Sequence, residues 1–117
     1  MSISISPGQA LLLWQKVNLN LVLDEAPDLS VRQIAILMTV YIDAPPHTIR
    51  GLAKKLNVTK PVITRALDAM GIKGLIARRR DEKDKRNVLI QRTVKGSLYL
   101  EALGDMISQT AIDMKDH

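Results

Sequence analysis

The chain of 117 residues contains no cysteine and no phenylalanine, and its aromatic content is one tryptophan and two tyrosines. Lack of cysteine excludes disulfides, thiolate metal sites and thiol redox sensing, and it fits a reducing cytoplasm as the expected location. The only histidines, His47 and His117, lie far apart, so neither a metal site nor a cofactor is expected. No Ser-His-Asp set, phosphate-binding glycine loop or paired carboxylate stands at a working spacing, and an enzyme is not expected. An uninterrupted apolar run of about 20 residues, the length that spans a bilayer, is also missing, so no membrane partner is expected. The apolar stretch near the N-terminus is broken by Lys16, Asn18 and Asn20 and has no cationic start, unlike a secretion signal.

What is present is positive charge, unevenly placed. The net charge is +5. Residues Thr48 to Gly96 carry 14 Lys/Arg and 4 Asp/Glu, a balance of +10, while the remainder carries 3 and 8, a balance of −5. A basic block of this density, set between acidic flanks, reads as an electrostatic footprint for a polyanion, most often nucleic acid. The block contains no aromatic residue, which disfavours single-strand binding by base stacking.

Helix signals run through the chain. Ser6, Pro7 and Gln9 form a capping-box start for a helix reaching about Asp24. Its apolar residues fall on two faces: Ala10, Leu13, Trp14, Val17 and Leu21 on one, Leu11, Leu12, Leu19, Val22 and Leu23 nearly opposite. One face suits the domain's own core, and the other needs a partner. Ser30 and Gln33 repeat the capping box for a helix over 31–42, with Ile34, Leu37, Met38, Tyr41 and Ile42 expected inward. Ala44-Pro45-Pro46 stops it. Two short helices follow, capped by Thr48 and Thr59 and joined at Asn57-Val58, with Ile49, Leu52, Ala53, Leu56 and Ile63, Ala66, Leu67, Met70 at helical spacing. Gly71 or Gly74 ends the second. Runs 75–80 and 87–92 read as strands of a hairpin around Asp81–Arg86. Thr93 caps a last helix to Met114, with Leu100, Leu103, Ile107 and Met114 along a seam. The expected fold is mainly α with a small β-hairpin, a winged helix-turn-helix. It is read as one domain, with 45–93 as helix-turn-helix and wing and with 1–44 and 94–117 as flanking dimerisation helices.

The helix starting at Thr59 is the candidate recognition helix. With its apolar side accounted for, Lys60, Pro61, Val62, Thr64, Arg65 and Asp68 face outward. A helix fits the major groove and reads base edges with its N-terminal part. Arg65 suits a bidentate contact to guanine, Thr64 a hydrogen bond to base or phosphate, and Val62 a thymine methyl. Lys60 and free amides near Thr59 favour phosphate. The hairpin supplies Arg80, Lys83, Lys85 and Arg86 to phosphates or a narrow minor groove. Asp84 is expected to structure the turn and orient Arg86. Leu12, Leu19, Leu23, Leu103, Ile107 and Met114 are the candidate dimerisation residues. Trp14, Tyr41 and Tyr99, on three different helices, are read as core packing, and a small-molecule effector is allowed but unsupported.

The stretch Leu52-Ala53-Lys54-Lys55-Leu56-Asn57-Val58-Thr59-Lys60-Pro61-Val62-Ile63-Thr64-Arg65, then Gly74-Leu75-Ile76, Arg78–Arg86 and Thr93-Val94-Lys95-Gly96, resembles the winged-helix core of the MarR (multiple antibiotic resistance regulator) family of bacterial transcription factors. The resemblance covers about two-fifths of the chain. It implies a dimeric regulator on a pseudo-palindromic operator, with Thr59, Lys60, Pro61, Val62, Thr64 and Arg65 at major-groove positions. It also places Asp84 and Arg86 on the family's wing motif, whose arginine enters the minor groove. Arg92 stands where the family usually has leucine, so altered wing packing is expected. Val62 replaces a commonly polar residue, which implies a changed operator preference, and less helix follows the wing than the family usually has. The expectation is a cytoplasmic, sequence-specific regulator of double-stranded DNA acting as a homodimer. The alternatives are a weakly specific architectural DNA-binding protein and a winged-helix protein-interaction module.

Overall fold

The computed structural model describes residues 3–25 and 27–114. Its elements run α1 (Pro7–Leu23), α2 (Val31–Ile42), α3 (Ile49–Leu56), α4 (Lys60–Ile72), β1 (Ile76–Arg80), β2 (Val88–Arg92) and α5 (Val94–Met114). This is the winged helix-turn-helix order expected from the sequence, with bounds within a residue or two of the local signals. The described residues pack as two compact units: Leu29–Leu100, and a second formed by those within 1–28 and 101–117.

In the Leu29–Leu100 unit, one core gathers Ile36, Leu37 and Val40 of α2, Leu52 and Ala53 of α3, Ile63, Ala66, Leu67 and Met70 of α4, then Leu75, Ile76 and Ile90. Full burial of each larger aliphatic side chain stabilises by about 1.5–3 kcal/mol relative to exposure. Helix α2 starts on the anticipated capping box, Ser30 Oγ accepting from the Gln33 amide (3.1 Å) and Gln33 Oε1 from the Ser30 amide (2.9 Å). Its inward residues differ from the expected set. Ile36 and Val40 are fully buried, whereas Ile42 is 74% exposed. The α2 sequence is apolar almost all round, so no polar face sets its phase, and contact with α4 decides which side is covered.

The tight turn between α3 and α4 depends on Asn57, which adopts the left-handed conformation (φ 55°, ψ 49°) and lets the Val58 amide reach the Ala53 carbonyl at 3.0 Å. At the far end of α4, Gly74 takes the left-handed position (φ 75°). Its amide bonds the Gly71 carbonyl and the Leu75 amide bonds the Met70 carbonyl, each at 3.0 Å, while Leu75 and Met70 are both buried. This double bond with its apolar clasp is a Schellman stop, so Gly74 ends the helix and Gly71 lies inside it.

Strands β1 and β2 pair antiparallel with Ile76 opposite Arg92 and Arg78 opposite Ile90. The segment before α3 adds a short third edge, through a Thr48–Leu89 bridge and the Ile90 amide on the His47 carbonyl (2.8 Å). Arg92 finds a use that its strand position did not reveal. Its Nε donates to the Val40 carbonyl (3.0 Å), its Nη2 to the Asp43 carbonyl (3.4 Å), and the guanidinium lies 5.9 Å from the Tyr41 ring centroid. A cation from the wing therefore caps α2, whose own last turn has no basic residue.

Tyr41 joins the same region from the other side. Its hydroxyl donates to the Leu75 carbonyl (2.7 Å) and accepts from the Thr93 amide (2.9 Å). Thr93 in turn caps α5 by accepting from the Gly96 amide (2.9 Å) and donates to the Gly74 carbonyl (2.7 Å). Tyr41 is thus a structural link between the end of α4, the end of the wing and the start of α5.

The second unit is thinly covered. Among its described residues only Val17, Leu103 and Thr110 are buried. The α1 face expected to meet the domain core is mostly bare: Ala10 is exposed, Trp14 is 58% exposed, and Leu13 and Leu21 are half-buried. The opposite face, Leu11, Leu12, Leu19, Val22 and Leu23, is exposed throughout. Two helical segments shield only the narrow line along which they face each other, which leaves the rest of a doubly apolar helix in water. Of the candidate dimerisation residues on α5, Leu103 is 8% exposed, with most of its surface covered within the single chain, and Ile107 and Met114 are half-buried.

Candidate nucleic-acid interface

Helix α4 presents its surface in the phase set by its buried residues. Lys60, Pro61, Arg65 and Asp68 are exposed, and Val62 and Thr64 are half-buried at the edges of that face. Thr59 holds the N-cap position, but its hydroxyl accepts no capping hydrogen bond, contrary to the expected cap. The cap is weak because Pro61 lacks an amide and the Val62 amide is already taken by the Thr59 carbonyl (3.2 Å). The same fact leaves fewer open amides at this end than the sequence suggests, so positive charge here comes mainly from side chains. Arg65 makes no ion pair or hydrogen bond among the described residues.

The wing is ordered by two local turns. Asp81 Oδ1 accepts from the Lys83 amide (3.0 Å), and Asp84 Oδ1 accepts from the Arg86 amide (3.1 Å). Asp84 also grips the Arg86 guanidinium with both oxygens, from Nε at 3.0 Å and from Nη2 at 3.1 Å. The Arg86 side chain is nonetheless 83% exposed. It stands out from the loop on a fixed mount. Two of the three consecutive arginines of β1 are engaged in different ways: Arg78 pairs with Asp68 of α4 (2.7 Å), and Arg80 Nη1 donates to the Lys85 carbonyl (2.9 Å), closing the hairpin. Lys83 and Lys85 are exposed at the tip.

The Arg86 contact holds the Asp84 carboxyl below its ordinary value of 3.8, with the Arg86 side chain the largest cause, the Arg86 amide next and the Arg50 charge a smaller one; partial desolvation opposes them. A carboxylate stabilised in the folded state keeps its pairing above the unfolded value and loses it as pH falls through the depressed one. The Arg86 Nε–H signal in NMR is therefore expected to stay unchanged from neutral pH down to about 4 and to collapse only below that. Collapse near pH 5 would contradict the pairing.

Two clefts border the outward face of α4. One, of about 190 Å³, is lined by Lys60 and Thr64 on α4, Arg50 on α3, and Arg86 and Asn87 at the wing. The other, of about 200 Å³, joins Val62 and Arg65 to Ser30 and Arg32 at the start of α2. The fold thus brings Lys60, Thr64 and Arg86 together, and sets Val62 and Arg65 toward the opposite edge. Sequence reasoning missed Arg50 and Arg32. Both lie on helices outside the recognition helix and wing, and the available signal was their position in the first turn of a helix packed beside α4. His47 bonds the Asp43 carbonyl through Nε2 (3.1 Å), and His117 lies outside the described residues. No cluster of His, Asp or Glu suited to a metal occurs among the described residues.

Comparison with known proteins agrees with this geometry. A family model described as the MarR family matches residues 29–88, more than half of the chain. The HTH-type transcriptional repressor YetL of Bacillus subtilis (strain 168) is 40% identical over 75 residues, which cover 62% of this chain and 44% of YetL. The chain therefore spans less than half the length of that curated relative. Among solved structures, FabT of Streptococcus pneumoniae in complex with DNA is 28% identical with a TM-score of 0.68, covering 92% of this chain and 73% of FabT. A mutant of S. aureus MepR bound to an oligodeoxyribonucleotide is 25% identical with a TM-score of 0.80, over 92% and 77% of the two chains. With its helix-turn-helix, its wing held by Asp84 and Arg86, and a family match running from α2 into the second strand, this chain belongs to the MarR family.

Proposed function

We propose that the chain is a cytoplasmic, sequence-specific regulator of transcription, not an enzyme, that binds double-stranded DNA as a homodimer on a pseudo-palindromic operator. The observation that carries this reading is the pairing of an unengaged Arg65 on the outward face of α4 with an Arg86 mounted outward on the neighbouring wing. Helix 59–70 enters the major groove, where Arg65 reads a guanine, Thr64 a base or phosphate and Val62 a thymine methyl. Wing 81–86 follows the adjacent minor groove with Arg86 inserted, and Thr59, Lys60, Pro61, Arg80, Lys83 and Lys85 lie along the backbone. Similarity to a repressor, YetL, and to FabT and MepR solved with DNA supports it.

The dimer rests on the bare apolar surface of α1. Leu12, Leu19 and Leu23 are exposed and Ile107 and Met114 of α5 half-buried, apolar surface that a second copy would cover, while Leu103 is already mostly covered within the chain. Two-fold symmetry then sets half-sites about one helical turn apart.

Selection from a random duplex pool, with light scattering of the free protein, tests this. The expected outcome is a two-fold symmetric consensus and a dimeric mass. Binding without a consensus would make the protein architectural. Failure to bind any duplex at about 100 mM salt would leave α1 as the working surface of a protein-interaction module.

A further inference from the structure

Resting on that reading, we propose that Arg50 is a DNA-contacting residue: with Lys60 and Arg86 it forms a seat for the single phosphodiester strand that divides the major groove from the minor groove. In a duplex, one sugar-phosphate backbone separates a major groove from its neighbouring minor groove. If α4 lies in the first and the wing in the second, that backbone passes between them, and the cleft of about 190 Å³ lies there. Its cations suit the ligand. Arg50, Lys60 and Arg86 line it, Thr48, Thr64 and Asn87 add neutral polar groups, Ile49 and Val88 complete it with apolar surface, and the wing carboxylate Asp84 is already gripped by Arg86. Cations gathered around one opening repel each other, and an anion between them relieves that repulsion.

Arg50 is exposed on α3, and it makes no hydrogen bond or ion pair among the described residues, so it serves no visible structural purpose. Exposed as it is, it lines the same cleft as Arg86 and Asn87 and so lies beside the wing. The seat is built from three separate segments, α3, the start of α4 and the wing. It therefore ties the depth of the helix in one groove to the insertion of Arg86 in the next. The contact is to phosphate and carries no base information.

The test uses the full chain and a duplex selected by the protein itself, with binding followed by fluorescence anisotropy. Arg50→Gln is expected to weaken binding roughly tenfold on the selected duplex and on a scrambled one alike. The slope of log K against log[salt] should fall by about 0.9 per subunit. Arg50→Lys should restore most of that slope, since a lysine also neutralises one phosphate. Replacing single phosphates by neutral methylphosphonates should identify one position per half-site that weakens the wild type but not Arg50→Gln. Additive effects at every phosphate, an unchanged salt slope, or a changed base preference in Arg50→Gln would each overturn the assignment. Absence of duplex binding by the wild type would instead remove the functional reading and this inference with it.

Discussion

Gly96→Ala is expected to unfold the winged-helix unit at temperatures where the wild type is intact. A Cβ at this position would run into the Tyr41 hydroxyl and the Leu75 carbonyl, and would come within 2.7 Å of Tyr41 Cζ. None of these is the free end of a flexible side chain. The Tyr41 hydroxyl is held by the Leu75 carbonyl and the Thr93 amide, and Leu75 is part of the helix stop after α4. Relief of the clash must displace either this hydrogen-bonded link or the start of α5. The combined overpacking and lost hydrogen bonds cost about 3–5 kcal/mol, a large share of the roughly 5–15 kcal/mol that stabilises a typical domain. Calorimetry should show the melting temperature falling by roughly 15–30 °C. Gly104→Ala is the control: nothing lies within 4 Å of its Cβ, and a helical alanine should stabilise by about 0.5–1 kcal/mol. If the two variants melt within a few degrees of each other, the close approach of Gly96 to Tyr41 is wrong.

Arg65→Ala addresses the other large effect, on the proposed binding. The side chain is exposed and makes no hydrogen bond or ion pair among the described residues, and alanine is the best helix former, so folding should be unaffected. Binding to the selected duplex should weaken by about 1–3 kcal/mol, and a repeat selection should lose its preference at one base position of each half-site. Arg65→Lys should recover part of the affinity but little of the preference, because an ammonium lacks the planar fork that fits the guanine edge. An intact base preference in Arg65→Ala would remove α4 from the role of reader. Comparison with Arg50→Gln sharpens the distinction, since one change is expected to alter which sequence is preferred and the other only how tightly any sequence is held.

Local chemistry made much of the fold legible. The starts of α1 and α2 follow from a serine and a glutamine three residues apart. The α4 core follows from Ile63, Ala66, Leu67 and Met70 at helical spacing, and the bend at Asn57 from a residue that tolerates a left-handed backbone. A contact spanning two residues, such as Asp84 to Arg86, is also within reach of sequence reasoning. Less was legible where the pattern was saturated or the partner distant. Helix α2 is apolar all round, so periodicity could not choose Ile36 and Val40 over Ile42. Arg92 caps a helix 52 positions earlier, and Tyr41 reaches Thr93 across the same separation, links that no local window contains. Thr59 looked like a cap by residue type alone, while Pro61 reduced the amides available to it. Arg50 carries no local sign of a role, because its place beside the wing depends on residues some thirty positions later.

The mounting of Arg86 on Asp84 bears on how such a protein would search a chromosome. A guanidinium that carries its own carboxylate attracts a passing phosphate less than a free one does, so on the proposed reading Arg86 adds less to the hold on unrelated sequence than Arg50 and Lys60 beside it. Its attraction rises only where a minor groove narrows and its potential deepens enough to outweigh the internal pair. The wing would then behave as a selective brake, engaging after the helix has found its register, and the speed of the search and the hold on the site could vary independently.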